Sequence, residues 1–172
     1  MAYKSTAATR QRLIFAAESL VAKRGIGGVS AREVAKSANL RNNCSVQYHF
    51  GSMDDLLEQV VRYRMGQLDE IRLDIIHKET NSEQRAIDLR SLMELICLPH
   101  LQLTGDDGTH TYAAFLCQYL PIHHPMGFRW MMRTSGPDFP AIRWIIQNMR
   151  SNLPALSKDV FDRRLTSASL LF

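Results

Sequence analysis

Asn42, Asn43, Ser45, Gln47, Tyr48 and His49 crowd hydrogen-bonding side chains into one short, nearly uncharged stretch. Asn and Gln carry an acceptor and a donor side by side, so they can bond an adenine edge in pairs, and a Ser hydroxyl can serve several bases. Tyr and His suit phosphate oxygens. A stretch that merely faced water would more often carry Lys and Glu. Other reactive groups offer less. His100, His110, His123 and His124 follow no zinc-ligand spacing, and adjacent His side chains rarely chelate one ion, so no metal is expected. Cys117 has no marked base or orienting group beside it, and Asp106-Asp107 reads as a turn rather than an acid–base pair. Gly25-Ile26-Gly27-Gly28 lacks the Lys and the preceding strand of a phosphate-binding loop. Cys44 reads as a small buried spacer rather than a redox sensor. No catalytic site and no cofactor are expected.

The charge pattern points the same way. The chain of 172 residues carries a net charge of +4. Residues 1–51 hold eight Lys/Arg against Glu18 and Glu33, a net +6, while residues 52–172 hold thirteen against fifteen acids, a net −2. One end is therefore built to meet a polyanion. Cys44, Cys97 and Cys117 are too few and too scattered for a disulfide framework. No apolar run is long enough to span a bilayer, and the stretch from Leu13 to Val21 is broken by Glu18 and Ser19, so it is no signal-peptide core. A cytoplasmic protein with free thiols is expected.

Helices must position these groups. Leu13, Ile14, Ala17, Leu20 and Val21 form one face of a helix from about Thr9 to Arg24, stopped by Gly25. Ser30-Ala31-Arg32-Glu33 is a capping box that opens a short helix burying Val34, Ala35 and Ala38. Asn39-Leu40 is a turn. A third helix is predicted from about Asn42 to Phe50, with Val46 and Phe50 on its buried side and Gly51 at its end. Ser52 caps a long helix reaching about His77, with Asp54 and Asp55 in its first turn. Asn81-Ser82-Glu83 opens another, which should kink or break near Pro99. Residues 110–120 form a helix closed by Pro121. Residues 121–125 and 134–140 are Pro-rich breaks around a short helix holding Trp130, and helices follow over about 140–152 and 157–172. Three short helices with a tight turn between the second and third make a helix-turn-helix.

Here the sequence resembles the TetR family of transcriptional regulators. Thr9-Arg10-Gln11-Arg12-Leu13-Ile14 through Ala16-Ala17 looks like that family's opening helix, and Val29-Ser30-Ala31-Arg32-Glu33-Val34-Ala35 is similar to its second. Val46-Gln47-Tyr48-His49-Phe50-Gly51-Ser52 followed by Asp55-Leu56-Leu57 resembles its most distinctive stretch. The resemblance covers about residues 9–62. It implies that Asn42, Asn43, Ser45 and Gln47 face bases in the major groove and that Tyr48 and His49 bond phosphates. Ser30 and Arg32 would clasp the backbone or an adjacent base, and Arg10, Arg12 and an N-terminal arm with Lys4 would add phosphate contacts. Two departures stand out. The stretch from Asn39 to Ser45 is one residue longer than the commonest form, which leaves the register of Asn42 and Asn43 open. Met53 stands where the family usually has a phosphate-binding Lys, although backbone N–H groups at that helix start could still serve.

The expected fold is all-α. An N-terminal three-helix helix-turn-helix DNA-binding domain would span residues 1–51, and a C-terminal helical ligand-binding and dimerisation domain residues 52–172. The resemblance implies a pocket and a dimer interface in that second part. Met93, Phe115, Tyr119, Trp130, Met131 and Trp144 are the pocket candidates, although such residues serve plain cores equally well. The expected function is a DNA-binding regulator, a repressor released from its operator by a small molecule. Its partners would be a near-palindromic duplex, a second copy of itself and a largely apolar effector, with no membrane. The alternatives are a DNA-binding regulator that senses a protein partner and a helical enzyme with an incidental basic end. The chain ends on Ser169-Leu170-Leu171-Phe172 without a cap. The resemblance implies a longer one, so either a tail is missing or the dimer interface is curtailed.

Overall fold

A computed structural model describes residues 2–80, 88–105, 108–123 and 139–170, and the side chains of 6–78, 88–105, 108–123 and 139–168. Every regular element among the described residues is helical. The expected helix start at Asn81-Ser82-Glu83, the Asp106-Asp107 turn and the short helix around Trp130 lie outside them.

The helix α1 runs Ala2–Arg24 and begins well before Thr9, because Ala2, Ala7 and Ala8 favour helix and nothing earlier breaks it. It ends where the sequence required. Gly25 adopts φ 73° and donates its N–H to the Val21 carbonyl at 2.8 Å. A single 3₁₀ turn, Ile26–Gly28, leads to α2, Ala31–Ser37. Its capping box is complete: the Ser30 hydroxyl accepts from the Glu33 N–H at 3.3 Å, and the Glu33 carboxylate accepts from the Ser30 N–H at 2.9 Å. Asn39 takes the left-handed conformation at φ 55°, which closes the turn. Then follow α3, Ser45–Phe50, stopped by Gly51 at φ 89°, and α4, Met53–Thr80, capped by the Ser52 hydroxyl, which accepts from Asp55 N–H at 3.0 Å.

Beyond α4 lie α5, Leu89–Cys97, and α6, Thr111–His123. Asp88 caps α5, its carboxylate accepting from Ser91 N–H at 2.8 Å. Where Pro99 was expected to break this helix, the chain tightens into a 3₁₀ turn, Leu98–Gln102. Pro121 does not close α6 as expected. It sits in the last turn, where the missing N–H forfeits only one rung, and the helix continues to His123. Two more helices follow, α7, Pro140–Asn152, and α8, Lys158–Leu170.

The chain divides into two compact units. The first comprises residues 1–64 and 111–119, the second residues 65–110 and 120–172. The first therefore takes in more chain than the three-helix segment 1–51. Its buried apolar residues include Leu13, Ala17 and Val21 of α1, Val34 and Ala35 of α2, Val46 of α3 and Leu56, Leu57 and Val60 of α4. Tyr112, Phe115 and Tyr119 stack along α6 within the same unit, with ring centroids 6.2 and 5.3 Å apart. Burial, and then the carboxylates of Glu58 and Asp54, push the Tyr119 phenol up, so it stays neutral. In the second unit α5 packs on α7. Leu92, Leu95 and Ile96 of α5, and Ile142, Ile145, Ile146 and Met149 of α7, recur at i, i+3, i+4 spacing and are buried.

Candidate nucleic-acid interface

The interface candidate is α3 with the turn that leads into it. Here the structure revises the sequence reading. The helix does not reach back to Asn42; it starts at Ser45. Asn42 is occupied by the turn, since its side-chain oxygen accepts from Cys44 N–H at 2.9 Å. Its carbonyl accepts from the Ser45 hydroxyl at 2.6 Å and from the Ser45 N–H at 3.2 Å. Ser45, expected to face bases, is 6% exposed and points inward. These bonds turn the Ser45 hydroxyl to the chain itself. Cys44, expected to be buried, is exposed.

What faces outward is a smaller set. Asn43 and Gln47 are exposed, and Tyr48 is 81% exposed. Arg41, exposed in the same turn, was counted only as charge in the sequence and not as a candidate reader. The signal was there, because a guanidinium beside two amides is the side chain best suited to a guanine edge. His49 is half-buried. Burial, and then the nearby Arg10 guanidinium, hold its imidazole below the usual range, so at neutral pH it offers an uncharged N–H rather than a cation.

The flanking candidates also differ from one another. Arg32 is exposed on the first turn of α2. Ser30 is exposed, but its hydroxyl donates to the Glu33 carboxylate at 2.8 Å, so its proton is already used. The Ser30 N–H first, and then that hydroxyl contact, hold Glu33 below the usual carboxylate range. Arg12 is exposed and donates to the Thr9 hydroxyl at 3.4 Å. Lys4 belongs to α1, and its side chain lies outside the described ones. Arg10, expected on phosphate, is half-buried and turned to the protein: it donates to the His49 carbonyl and lies 4.2 Å over the Phe50 ring. At the start of α4, where Met53 replaces the expected Lys, Asp54 and Asp55 already answer the positive helix end.

Residues 13–60, from the middle of α1 to the first two turns of α4, match the family model described as bacterial regulatory proteins, tetR family. This segment is a TetR family DNA-binding segment. The matched segment contains the helix-turn-helix itself, which indicates a DNA-binding transcriptional regulator. Comparison with curated proteins and with solved structures gave no match.

The described pocket candidates divide between the two units. Phe115 and Tyr119 are buried in the first unit, stacked on each other, and act there as core. Met93 and Trp144 are half-buried in the second unit, and Trp130 and Met131 lie outside the described residues. Among the described residues no three His, Cys, Asp or Glu side chains are grouped to hold a metal, and no helix is long and apolar enough to cross a membrane.

Proposed function

We propose that this protein is a TetR family repressor. It acts as a homodimer that places one α3 per copy in successive major grooves of a near-palindromic operator, about 34–36 Å apart. The observation that carries this reading is the outward display of Asn43, Gln47 and Tyr48, with Arg41 beside them, on a basic helix-turn-helix. Arg41 and the two amides would read base edges, Tyr48 and Arg32 would bond the backbone, and neutral His49 would donate one uncharged hydrogen bond to phosphate. A small, largely apolar molecule would release the operator, with Met93 and Trp144 of the second unit as the remaining described candidates for contact. Such a ligand acts only through its differential affinity for two conformers, and emptying a nearly full operator takes about 5.5 kcal/mol of preference. The protein would work in the cytoplasm and carry out no chemistry of its own.

The test is capture of genomic fragments from the source organism by the purified chain, followed by gel-shift of the recovered fragments over a salt series. The expected result is a recurrent inverted-repeat sequence whose affinity falls steeply with salt, as phosphate contacts release counterions. Release of that fragment by apolar metabolites then tests the effector step. Fragments sharing no sequence, bound no more tightly than bulk DNA, would overturn the reading.

A further inference from the structure

We infer that Arg10 is a positioning residue, clamping the reading helix α3 to α1 rather than holding a DNA phosphate. The inference rests on the DNA-reading role proposed for α3. That helix has six residues, Ser45–Phe50, and a helix this short has no stability of its own, so its direction is set by what it packs on. At its start no side chain caps it, since its N-cap, Cys44, makes no capping hydrogen bond. Toward its interior Val46 is buried. At its end the last carbonyls have no helical partner. One of them, the His49 carbonyl, receives the Arg10 guanidinium, which also covers the Phe50 ring at 4.2 Å.

Three effects act together at this point. The hydrogen bond satisfies an orphan carbonyl, the cation matches the negative end of the helix, and the guanidinium plane rests on an aromatic face. The anchor behind Arg10 is firm. Three residues on, Leu13 is fully buried, and α1 is tied to α4 by Gln11 donating to the Tyr63 hydroxyl at 2.8 Å and by the Glu18–Arg64 ion pair at 2.8 Å. Arg10 thus passes the fixed direction of α1 to α3. Gln47 lies one turn before Phe50 on the clamped helix. Bidentate reading of a base tolerates misplacement of only about 0.5 Å or 10–20°, so a loosened C-terminus would blur what Gln47 reads.

The experiment uses two duplexes: one selected by the wild-type chain from a randomised pool, and a scrambled version of it. Arg10→Gln, Arg10→Lys and Phe50→Leu are compared with wild type by binding at several salt concentrations. His49 is titrated by NMR in each DNA-free protein. The clamp predicts that Arg10→Gln narrows the preference for the selected duplex by about tenfold or more, the equivalent of one base contact, with little change in salt slope. Phe50→Leu, which alters no charge, should narrow it too, and Arg10→Lys should restore it only in part. His49 should titrate at higher pH in Arg10→Gln. A phosphate contact predicts the opposite pattern: equal weakening on both duplexes, a salt slope lower by about one, full rescue by Lys and a neutral Phe50→Leu. That pattern would overturn the inference. Should Arg10→Gln fail to fold, as judged by its thermal melt, Arg10→Lys and Phe50→Leu decide between the same two patterns. If wild type prefers no duplex at all, the proposed function fails. The clamp is then judged by His49 alone, whose unchanged titration in an Arg10 variant would refute it.

Discussion

Asp69 and Arg72 lie one turn apart on α4 and terminate two different helices at ends of opposite polarity. The Asp69 carboxylate accepts from Ala141 N–H at 3.0 Å and Ile142 N–H at 2.9 Å, the first free donors of α7. Its own cap position, Phe139, has no side-chain acceptor, and Pro140 has no N–H, so this carboxylate does the capping from a distance in sequence. Arg72 donates to the Leu95 carbonyl at 3.0 Å and the Ile96 carbonyl at 3.1 Å, at the end of α5. Each charge meets the helix end that its sign favours. Both residues are buried, at 3% and 1% exposure, so the hydrogen bonds are what make their burial tolerable.

Asp69→Ala should therefore strand two buried N–H groups and cost about 3 kcal/mol of unfolding free energy, with Asp69→Asn recovering part of it. Arg72→Met should cost about 2 kcal/mol, because its alkyl stem is replaced but two carbonyls lose their donor. Urea denaturation measures both. An unchanged midpoint for Asp69→Ala would show that α7 is capped by something else.

In the first unit, Glu18 is 2% exposed and is held bidentately by Arg64 at 2.8 and 2.9 Å. Arg64→Met leaves that carboxylate buried without its counter-charge and should cost about 3–5 kcal/mol. The double change Glu18→Leu with Arg64→Met should be milder than Arg64→Met alone, because it removes the stranded charge as well. Thermal melts of Arg64→Met, Glu18→Leu and the double variant, compared with wild type as a cycle, check the order.

Stability should fall on mild acidification. His100, in the turn after α5, is pushed down to about 4 by burial first and by the Arg72 guanidinium second. The unfolded chain binds this proton near pH 6.5 and the folded one resists it to about 4, so stability is lost as pH falls across that interval. His49 is lowered too and contributes with the same sign. A series of urea midpoints from pH 7.5 to 4 should decline, and His100→Gln should flatten the decline. A parallel decline in the variant would remove His100 from the explanation.

At the interface, Ser45→Ala should reduce stability by about 1 kcal/mol, through loss of its bond to the Asn42 carbonyl, and leave base preference intact. Arg41→Ala should instead leave stability intact and relax preference at one position by about 1–3 kcal/mol. Binding across single-base operator variants, paired with melts, separates the two effects. Preference lost in Ser45→Ala and kept in Arg41→Ala would reverse the assignment.

The sequence disclosed whatever was local. Gly25, Gly51 and the Ser30–Glu33 box were readable because each acts within four residues of itself, and the core face of α1 was readable from its period. The roles of Arg10, Asp69 and Arg72 were not, since their partners lie 39, 72 and 23 residues away at the nearest. A basic residue in the first half of α1 looks like a phosphate ligand until the carbonyl it serves is seen. The α3 start was misplaced for a subtler reason. Asn42 and Asn43 suit both a reading face and a turn, and the inward hydrogen bonds of Ser45 choose the turn.

The most direct test of DNA reading by α3 is selection from a randomised duplex pool by wild type and by Gln47→Ala, at low ionic strength. Wild type should enrich an inverted repeat, and Gln47→Ala should enrich the same repeat with one position per half-site degenerate. A pool that stays random with wild type, or an identical motif from both proteins, would contradict the placement of α3 in the groove.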